Sequence, residues 1–287
     1  MKKILVLFLA LSLAGGAAFA QDNLGLTAGL EFNIDYLNHD DLDAMDTANI
    51  RLFLNYSNSD LVENLDLFAE LGLNMYPFHA TPADDFGLGM DIELDAAYHL
   101  LLTDEGTLTF GLNFWFGIPL AGNHWSGYDL SDADVTIEME PRIRYTHDLG
   151  GLTAFGQLAF PIYLGTAGDA FDWVGMNILL GMRMEMDPGL FGLDIEIVNT
   201  LTNAADESTF FEWLYITPSF AFSAIPLYVE LEIGLPVDDM DIGMTLTPHV
   251  SYEIIPGLNA WLELPMWNVT GDADLTMGLT LGVSFSF

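Results

Sequence analysis

The chain has 287 residues, with 42 acidic side chains against six basic ones and no cysteine, so its formal net charge is −36 although 51% of its residues are hydrophobic. The scarcity of Lys and Arg excludes a nucleic-acid partner, because phosphate binding needs clustered basic groups. The absence of cysteine excludes disulfides and thiolate chemistry. High charge combined with high apolar content requires a fold that keeps the two classes of side chain on separate surfaces.

The amino terminus has the three parts of a secretory signal peptide. Lys2 and Lys3 precede an apolar run from Ile4 to Leu13 that is too short to span a bilayer, and Ala18-Phe19-Ala20 follows as an A-x-A cleavage site. We expect residues 1–20 to be removed and residues 21–287 to form the mature chain. That chain has four arginines against 42 acids, a net charge of −38.

After the signal peptide, apolar and polar residues alternate with a period of two. Between Leu24 and Tyr36 the even positions are apolar, whereas Glu31, Asn33 and Asp35 lie at odd positions. A strand places two such sets on opposite faces, whereas a helix would mix them. No later stretch approaches 18 uninterrupted apolar residues, so transmembrane helices are not predicted.

The same alternation predicts fourteen strands, most of them long enough to cross hydrocarbon at a tilt. They cover residues 24–37, 47–57, 64–76, 88–101, 107–118, 134–146, 151–164, 174–186, 190–199, 211–222, 227–236, 242–253, 258–267 and 275–287. Long connections follow odd strands and short turns follow even ones, which is typical of outer-membrane barrels with periplasmic turns. The sequence therefore predicts a transmembrane antiparallel up-and-down β-barrel with both chain ends at the short-turn rim.

Charge separates the two faces of these strands. Sixteen acids and all four arginines fall opposite the apolar set, and no acid falls on the apolar set. A charged side chain facing lipid at mid-membrane costs about 2–4 kcal/mol, so the apolar set is predicted to face lipid. Aromatic residues end six strands on that side and predict an interfacial girdle: Tyr56, Tyr98, Tyr145, Phe222, Tyr252 and Phe287.

The last strand alternates up to a terminal phenylalanine and resembles the terminal-strand signature of bacterial outer-membrane β-barrel proteins. The matching positions are Leu279, Leu281, Val283, Phe285 and Phe287. In that class, the barrel-assembly machinery recognises this signature, so the resemblance implies that partner during biogenesis. The strand count and loop lengths are most similar to those of monomeric 14-stranded porins, which implies a diffusion channel and favours a monomer.

The face opposite the apolar set supplies the candidate pore-lining residues. They are Glu31, Asp35, Arg51, Asp66, Glu70, Asp91, Glu93, Asp95, Trp115, Glu138, Glu140, Arg142, Arg144, Arg183, Glu185, Asp194, Glu196, Glu230, Glu232, Glu253 and Glu263. Their formal charge is −12, and carboxylates around a channel concentrate cations and exclude anions. Glycines on this face add no bulk, whereas Trp115 and other aromatic residues are expected to narrow the bore.

Two further features concern charge. Arg142 and Arg144 share a face with Glu138 and Glu140, which favours local salt bridges over an electric field across the lumen. The predicted long loops each contain at least two acids, but no segment reproduces the twelve-residue calcium-loop pattern. We therefore predict no bound metal and no cofactor.

These features predict an outer-membrane porin-like channel for passive diffusion of small hydrophilic solutes, with a preference for cations. Two alternatives remain: a structural or adhesive surface barrel with a closed lumen, and a hydrophobic-substrate transporter. The transporters carry an amino-terminal hatch, whereas the first strand here is expected within a few residues of Gln21. An enzyme is not predicted, because the apolar face contains no Ser-His pair and the chain has no G-x-S-x-G motif.

Overall fold

A computed structural model describes residues 25–38, 47–76, 87–122, 135–164, 173–203, 208–238, 243–270 and 274–287. The predicted signal peptide and most of the predicted long-loop residues lie outside these ranges. None of the ranges holds a helix with the length and apolarity needed to traverse a bilayer. The regular elements that they contain are strands.

The predicted all-β fold of fourteen strands is confirmed. The strands are β1 (Leu26–Ile34), β2 (Ala48–Val62), β3 (Leu65–Tyr76), β4 (Gly87–Thr103), β5 (Gly106–Ala121), β6 (Thr136–Asp148), β7 (Leu152–Ala159 and Ile162–Leu164), β8 (Trp173–Met186), β9 (Gly189–Asn203), β10 (Thr209–Phe222), β11 (Leu227–Pro236), β12 (Thr245–Ile255), β13 (Leu258–Glu263 and Met266–Trp267) and β14 (Thr276–Met277 and Leu279–Ser286). The bounds of β11 match the prediction, whereas β2 continues beyond its predicted end to Val62.

The sheet closes on itself. Each strand pairs antiparallel with its neighbours in the chain, and β14 pairs with β1. Ala28 in the middle of β1 lies opposite Phe285 of β14 on one side and Leu54 of β2 on the other. Closure removes the free sheet edges, whose unpaired N–H and C=O groups would be costly in hydrocarbon.

Prolines interrupt two of the strands. β7 breaks at Phe160 and Pro161, and β13 breaks at Leu264 and Pro265. Proline has no N–H to donate to the next strand, so the ladder loses a hydrogen bond wherever it occurs. The carbonyl oxygens of Pro161 and Pro265 still accept hydrogen bonds from the N–H groups of Gly175 and Gly278, each at 2.8 Å. The wall therefore stays continuous across both breaks.

The carboxyl end and the start of β1 lie together at the short-turn rim, as predicted. The backbone N–H of Phe287 donates to the carbonyl of Leu26 at 2.8 Å. The N–H of Ser286 donates to the carbonyl of Gly257, also at 2.8 Å, and Gly257 lies in the short turn between β12 and β13. Gly257 has a φ of 83°, which this tight turn requires and which glycine adopts without strain.

The outer face of the barrel is apolar and exposed. Leu54, Leu94 and Leu180 expose 48%, 46% and 54% of their surface in the middle of their strands. Among the described residues, the buried apolar side chains other than proline are Ile34, Ala48, Leu52, Phe155 and Ala159. A soluble protein does the reverse, because it buries large apolar side chains in a core. Tyr98, Tyr145 and Tyr252 are exposed near the turn ends of their strands, where the girdle was predicted.

Candidate functional site

The inner face of the barrel carries the polar side chains. Arg51 of β2 contacts Asp91 of β4, and the ring of Phe53 on β2 lies 6.3 Å, between centroids, from that of Trp261 on β13. Strands β13 and β2 are three steps apart, about 14 Å along a sheet whose strands are about 4.8 Å apart. Side chains meet over that separation on the concave side of a closed sheet, so this set points inward.

Arg51 is surrounded by carboxylates. Its guanidinium lies 3.4 Å from Glu31 Oε2 and 2.7 Å from Asp91 Oδ2, and it donates a hydrogen bond to Glu70. Asp91 is only 5% exposed and also accepts a hydrogen bond of 2.6 Å from the side-chain amide of Asn74. We call Arg51, Glu31, Glu70 and Asp91 the Arg51 cluster; it holds one positive charge among three negative ones.

Arg142 and Arg183 each have a carboxylate partner nearby on the wall. Arg142 lies 2.5 Å from Asp95 Oδ2 and 3.9 Å from Glu140 Oε1. Arg183 binds Asp194 through two nitrogens, at 2.5 and 2.7 Å. A two-point pair of this kind fixes the planar guanidinium and satisfies both carboxylate oxygens. These pairs are local, because their members lie on the same strand, on adjacent strands or two strands apart.

Arg144 differs from the other three arginines. Its guanidinium carbon lies 3.6 Å from the centroid of the Phe155 ring, a cation–π contact. No carboxylate of the described residues lies within 4.0 Å of it. The prediction of local salt bridges therefore fits Arg142 but is wrong for Arg144. The reason is register: Arg144 lies opposite Thr109 and Gln157, neither of which is acidic.

Seven of the predicted acids have no basic partner within 4.0 Å among the described residues. They are Glu93, Glu138, Glu185, Glu196, Glu230, Glu232 and Glu253. Neutral donors serve several of them: the amide of Asn113 donates to Glu93 at 2.7 Å, and the N–H of Gly257 donates to Glu253 at 2.8 Å. Such bonds satisfy lone pairs without cancelling the negative charge.

The remaining predicted acids lie near histidines or at the end of a strand. Asp66 Oδ2 lies 2.8 Å from His99 Nε2, and Glu263 Oε2 lies 3.5 Å from His249 Nδ1. Asp35 follows the last residue of β1. The structure thus places the predicted acids on the inner-facing positions of the strands or directly beside them, in pairs and small clusters rather than one continuous ring.

The aromatic residues of the inner face lie against glycines. A Cβ added to Gly282 would be 1.9 Å from the Trp261 ring, one at Gly117 would be 2.5 Å from Trp115, and one at Gly181 would be 2.1 Å from Phe155. The sequence alone predicts opposite effects on the bore, with glycines adding no bulk and aromatic rings narrowing it. In the structure these three glycines leave space for an aromatic ring to lie along the wall.

A polar cluster at the start of β10 was missed. Phe211 has a φ of 62° and the register between β9 and β10 shifts there, which indicates a bulge. Thr200 donates to Glu212 at 2.7 Å, and the indole N–H of Trp173 donates to Thr200 at 2.9 Å. Glu212 lies at the end of the predicted strand, and the register shift at the bulge brings its side chain to Thr200.

The apolar side chains of the terminal strand lie at the seam between β14 and β1. Leu279, Leu281, Val283 and Phe285 pair with β1 at Ile34, Phe32, Leu30 and Ala28. Leu281 is 42% exposed, and the rings of Phe285 and Phe287 meet edge to face at 5.0 Å. These side chains lie on the outer face of the seam that closes the barrel.

The acidic loops fall largely outside the described residues, and so does any metal site that they would form. Within the described part of the chain, no group of three or more His, Asp and Glu side chains is arranged to hold a metal ion.

Comparisons with known proteins show the fold. No family model and no curated protein sequence matches the chain. Among solved structures, the outer membrane protein Omp33 of Acinetobacter baumannii is 8% identical, with 93% of this chain and 100% of that chain covered and a TM-score of 0.51. CdiB from Acinetobacter baumannii is 10% identical, with 91% and 60% covered and a TM-score of 0.56. A KdgM porin in complex with disordered oligogalacturonate is 10% identical, with 91% and 99% covered and a TM-score of 0.42. The chain thus shares the closed antiparallel barrel of outer-membrane proteins.

Proposed function

We propose that the chain forms an outer-membrane channel through which small hydrophilic solutes diffuse passively, with a preference for cations. The observation that carries this proposal is the partition of the barrel into an apolar, exposed outer face and an inner face on which seven carboxylates have no basic partner among the described residues. The inner-face residues would line the channel, and we propose no catalytic role for them.

The outer face supports insertion into lipid. Leucines exposed to about half of their surface would be unfavourable in water, whereas hydrocarbon is a good solvent for them. A tyrosine ring at the turn end of a strand suits the interface between hydrocarbon and headgroups. Outer-membrane lipids are therefore the proposed surroundings, after export by a cleaved signal peptide of residues 1–20.

The inner face supports passage of water and ions. Barrels of eight strands fill their interior with side chains and those of 16–18 strands leave a channel, so fourteen strands lie between. Here Trp115, Phe155 and Trp261 lie over glycines rather than across the lumen. This arrangement keeps the largest inner side chains close to the wall and favours an open bore.

The charges support a preference for cations. Arg51 contacts three carboxylates and Arg142 contacts two, so pairing leaves an excess of negative charge around both, whereas Arg183 and Asp194 balance each other. Unscreened carboxylates in a low-dielectric channel raise the local concentration of cations.

Recording from the purified protein in a planar bilayer tests the proposal. We expect stepwise conductance and, in a KCl gradient, a reversal potential of the sign that indicates K⁺ permeation. The preference should weaken at high salt, because the Debye length falls from about 10 Å at 0.1 M to about 3 Å at 1 M. A protein that inserts without conducting would instead support a structural or adhesive barrel with a closed lumen.

The terminal strand is proposed to guide assembly through the barrel-assembly machinery. Phe287 is at the seam between β14 and β1, where its N–H bonds to Leu26. Deleting Phe287 should reduce the amount of heat-modifiable barrel in outer membranes. An undiminished amount would remove Phe287 from that role.

A further inference from the structure

A cavity of about 380 Å³ opens from the inner face near the short-turn ends of β4 to β7. Its volume is at the lower end of the range for small-molecule sites, about 300–1,000 Å³. Its lining consists of Ala97, His99, Thr107, Thr109, Arg142, Arg144, Thr146 and Gln157. No carboxylate appears in this lining, although the inner face as a whole is rich in acids.

Arg144 provides a positive charge that nearby acids have not neutralised. Its guanidinium stacks on Phe155 with 3.6 Å between the guanidinium carbon and the ring centroid. Stacking occupies the face of the guanidinium and leaves the N–H donors in its plane. The other arginines near it, Arg142 and Arg183, are held by Asp95 and Asp194. Asp95 and Asp194 therefore pair with Arg142 and Arg183 and not with Arg144.

Hydrogen-bond donors complete the lining. Thr107, Thr146 and Gln157 supply two hydroxyls and an amide. His99 is held between Asp66 at 2.8 Å and the hydroxyl of Thr109 at 2.9 Å, which fixes the orientation of its ring. A planar guanidinium flanked by neutral donors is the arrangement that binds an oxyanion through charge-assisted hydrogen bonds.

We propose that this cavity binds a small organic anion through its carboxylate, with Arg144 as the principal contact and the threonine hydroxyls and Gln157 as secondary donors. A carboxylate fits better than a doubly charged phosphate, because the surrounding wall is acidic and repels each additional negative charge. The proposal concerns binding and holds whether or not the barrel conducts ions.

Binding is measured with the folded barrel in detergent micelles, by saturation-transfer NMR of acetate at constant ionic strength. Acetamide, which has nearly the same shape but no charge, is the matched ligand. We expect acetate to bind and acetamide not to bind. Arg144→Gln should weaken acetate binding about tenfold or more, because it removes a charged hydrogen-bond donor.

Ala224→Asp is the matched variant, because it changes the net charge by the same amount in the exposed turn between β10 and β11, outside the cavity lining. It should leave acetate binding within about twofold, because salt screens the charge of an exposed side chain. Equal weakening by both variants would mean a general charge effect and would overturn the proposal. Binding of phosphate in preference to acetate, or no loss in Arg144→Gln, would also overturn it. A barrel that conducts no ions but binds acetate through Arg144 would contradict the channel while leaving this site intact.

Discussion

Arg51 and Arg144 occupy the same face of the same barrel, yet their surroundings are opposite. Arg51 contacts three carboxylates, one of them only 5% exposed, whereas Arg144 contacts an aromatic ring and has no carboxylate within 4.0 Å among the described residues. The overall charge of the inner face does not reveal this difference. Arg51 is placed to stabilise the wall, and Arg144 is placed to meet a ligand.

The largest effect is expected from removing the cation of the Arg51 cluster. Arg51→Gln leaves Glu31, Glu70 and Asp91 facing one another, and breaking a buried charge pair in this way costs about 3–5 kcal/mol. The free energy of unfolding in detergent, followed by heat-modifiable gel mobility, measures the loss. Adding Asp91→Asn should restore part of it, because one of the stranded charges disappears. Wild-type stability in Arg51→Gln would show that the cluster does not hold the wall together.

A smaller effect is expected from crowding the ring beneath Arg144. Gly181→Ala places a Cβ 2.1 Å from the Phe155 ring and 2.4 Å from Asp194, so both must shift. Overpacking of this kind costs about 1–3 kcal/mol. Gly156→Ala is the control, because its nearest neighbour would be a Leu180 methyl at 3.5 Å, an ordinary contact. Equal unfolding free energies for the two variants would mean that Phe155 does not lie against Gly181.

The smallest effect on stability is expected at Arg144 itself. Arg144→Gln removes a cation–π contact worth about 1 kcal/mol and leaves no carboxylate stranded. Its unfolding midpoint should therefore stay close to that of the wild type, in contrast to Arg51→Gln. Arg144→Lys provides a second comparison, because it keeps the charge and loses the planar stack. A loss as large as that of Arg51→Gln would mean that Arg144 has an acidic partner in the folded barrel.

The sequence was sufficient to predict the strands because alternation has a strong physical cause. One face of each strand contacts lipid and the other carries polar groups, so a shift of one residue in strand register would turn charged side chains toward lipid at a high cost. The positions of the apolar residues therefore identify each strand and its lipid-facing side. The interruptions at Pro161 and Pro265 were missed, although proline is a recognisable signal for them. The bulge at Phe211 had no such signal, and Glu212 was therefore not placed beside Thr200.

The sequence does not predict which charged side chains of the inner face form ion pairs with one another. Arg142 and Arg144 are two residues apart on one strand and have the same acidic neighbours in the sequence. Register separates them: Arg142 lies opposite Gly111 and Ala159, which leave it space to reach Asp95 on β4. Arg144 lies opposite Thr109 and Gln157, which offer no carboxylate. Alternation predicts which face of the sheet a side chain lies on. The register between neighbouring strands decides which side chains contact one another on that face.

We propose that carboxylates without basic partners give the channel its preference for cations. The variant Glu93→Gln, Glu196→Gln, Glu232→Gln removes three of them without stranding an arginine. Its control, Asp104→Asn, Glu105→Gln, Asp148→Asn, removes three charges at exposed positions of the short-turn rim.

Reversal potentials in a KCl gradient at low salt measure the difference between these variants most directly. We expect a cation-selective wild type, a shift toward the nonselective value in the inner-face variant and little shift in the control. An anion-selective wild type, or equal shifts in both variants, would mean that these carboxylates do not set the selectivity.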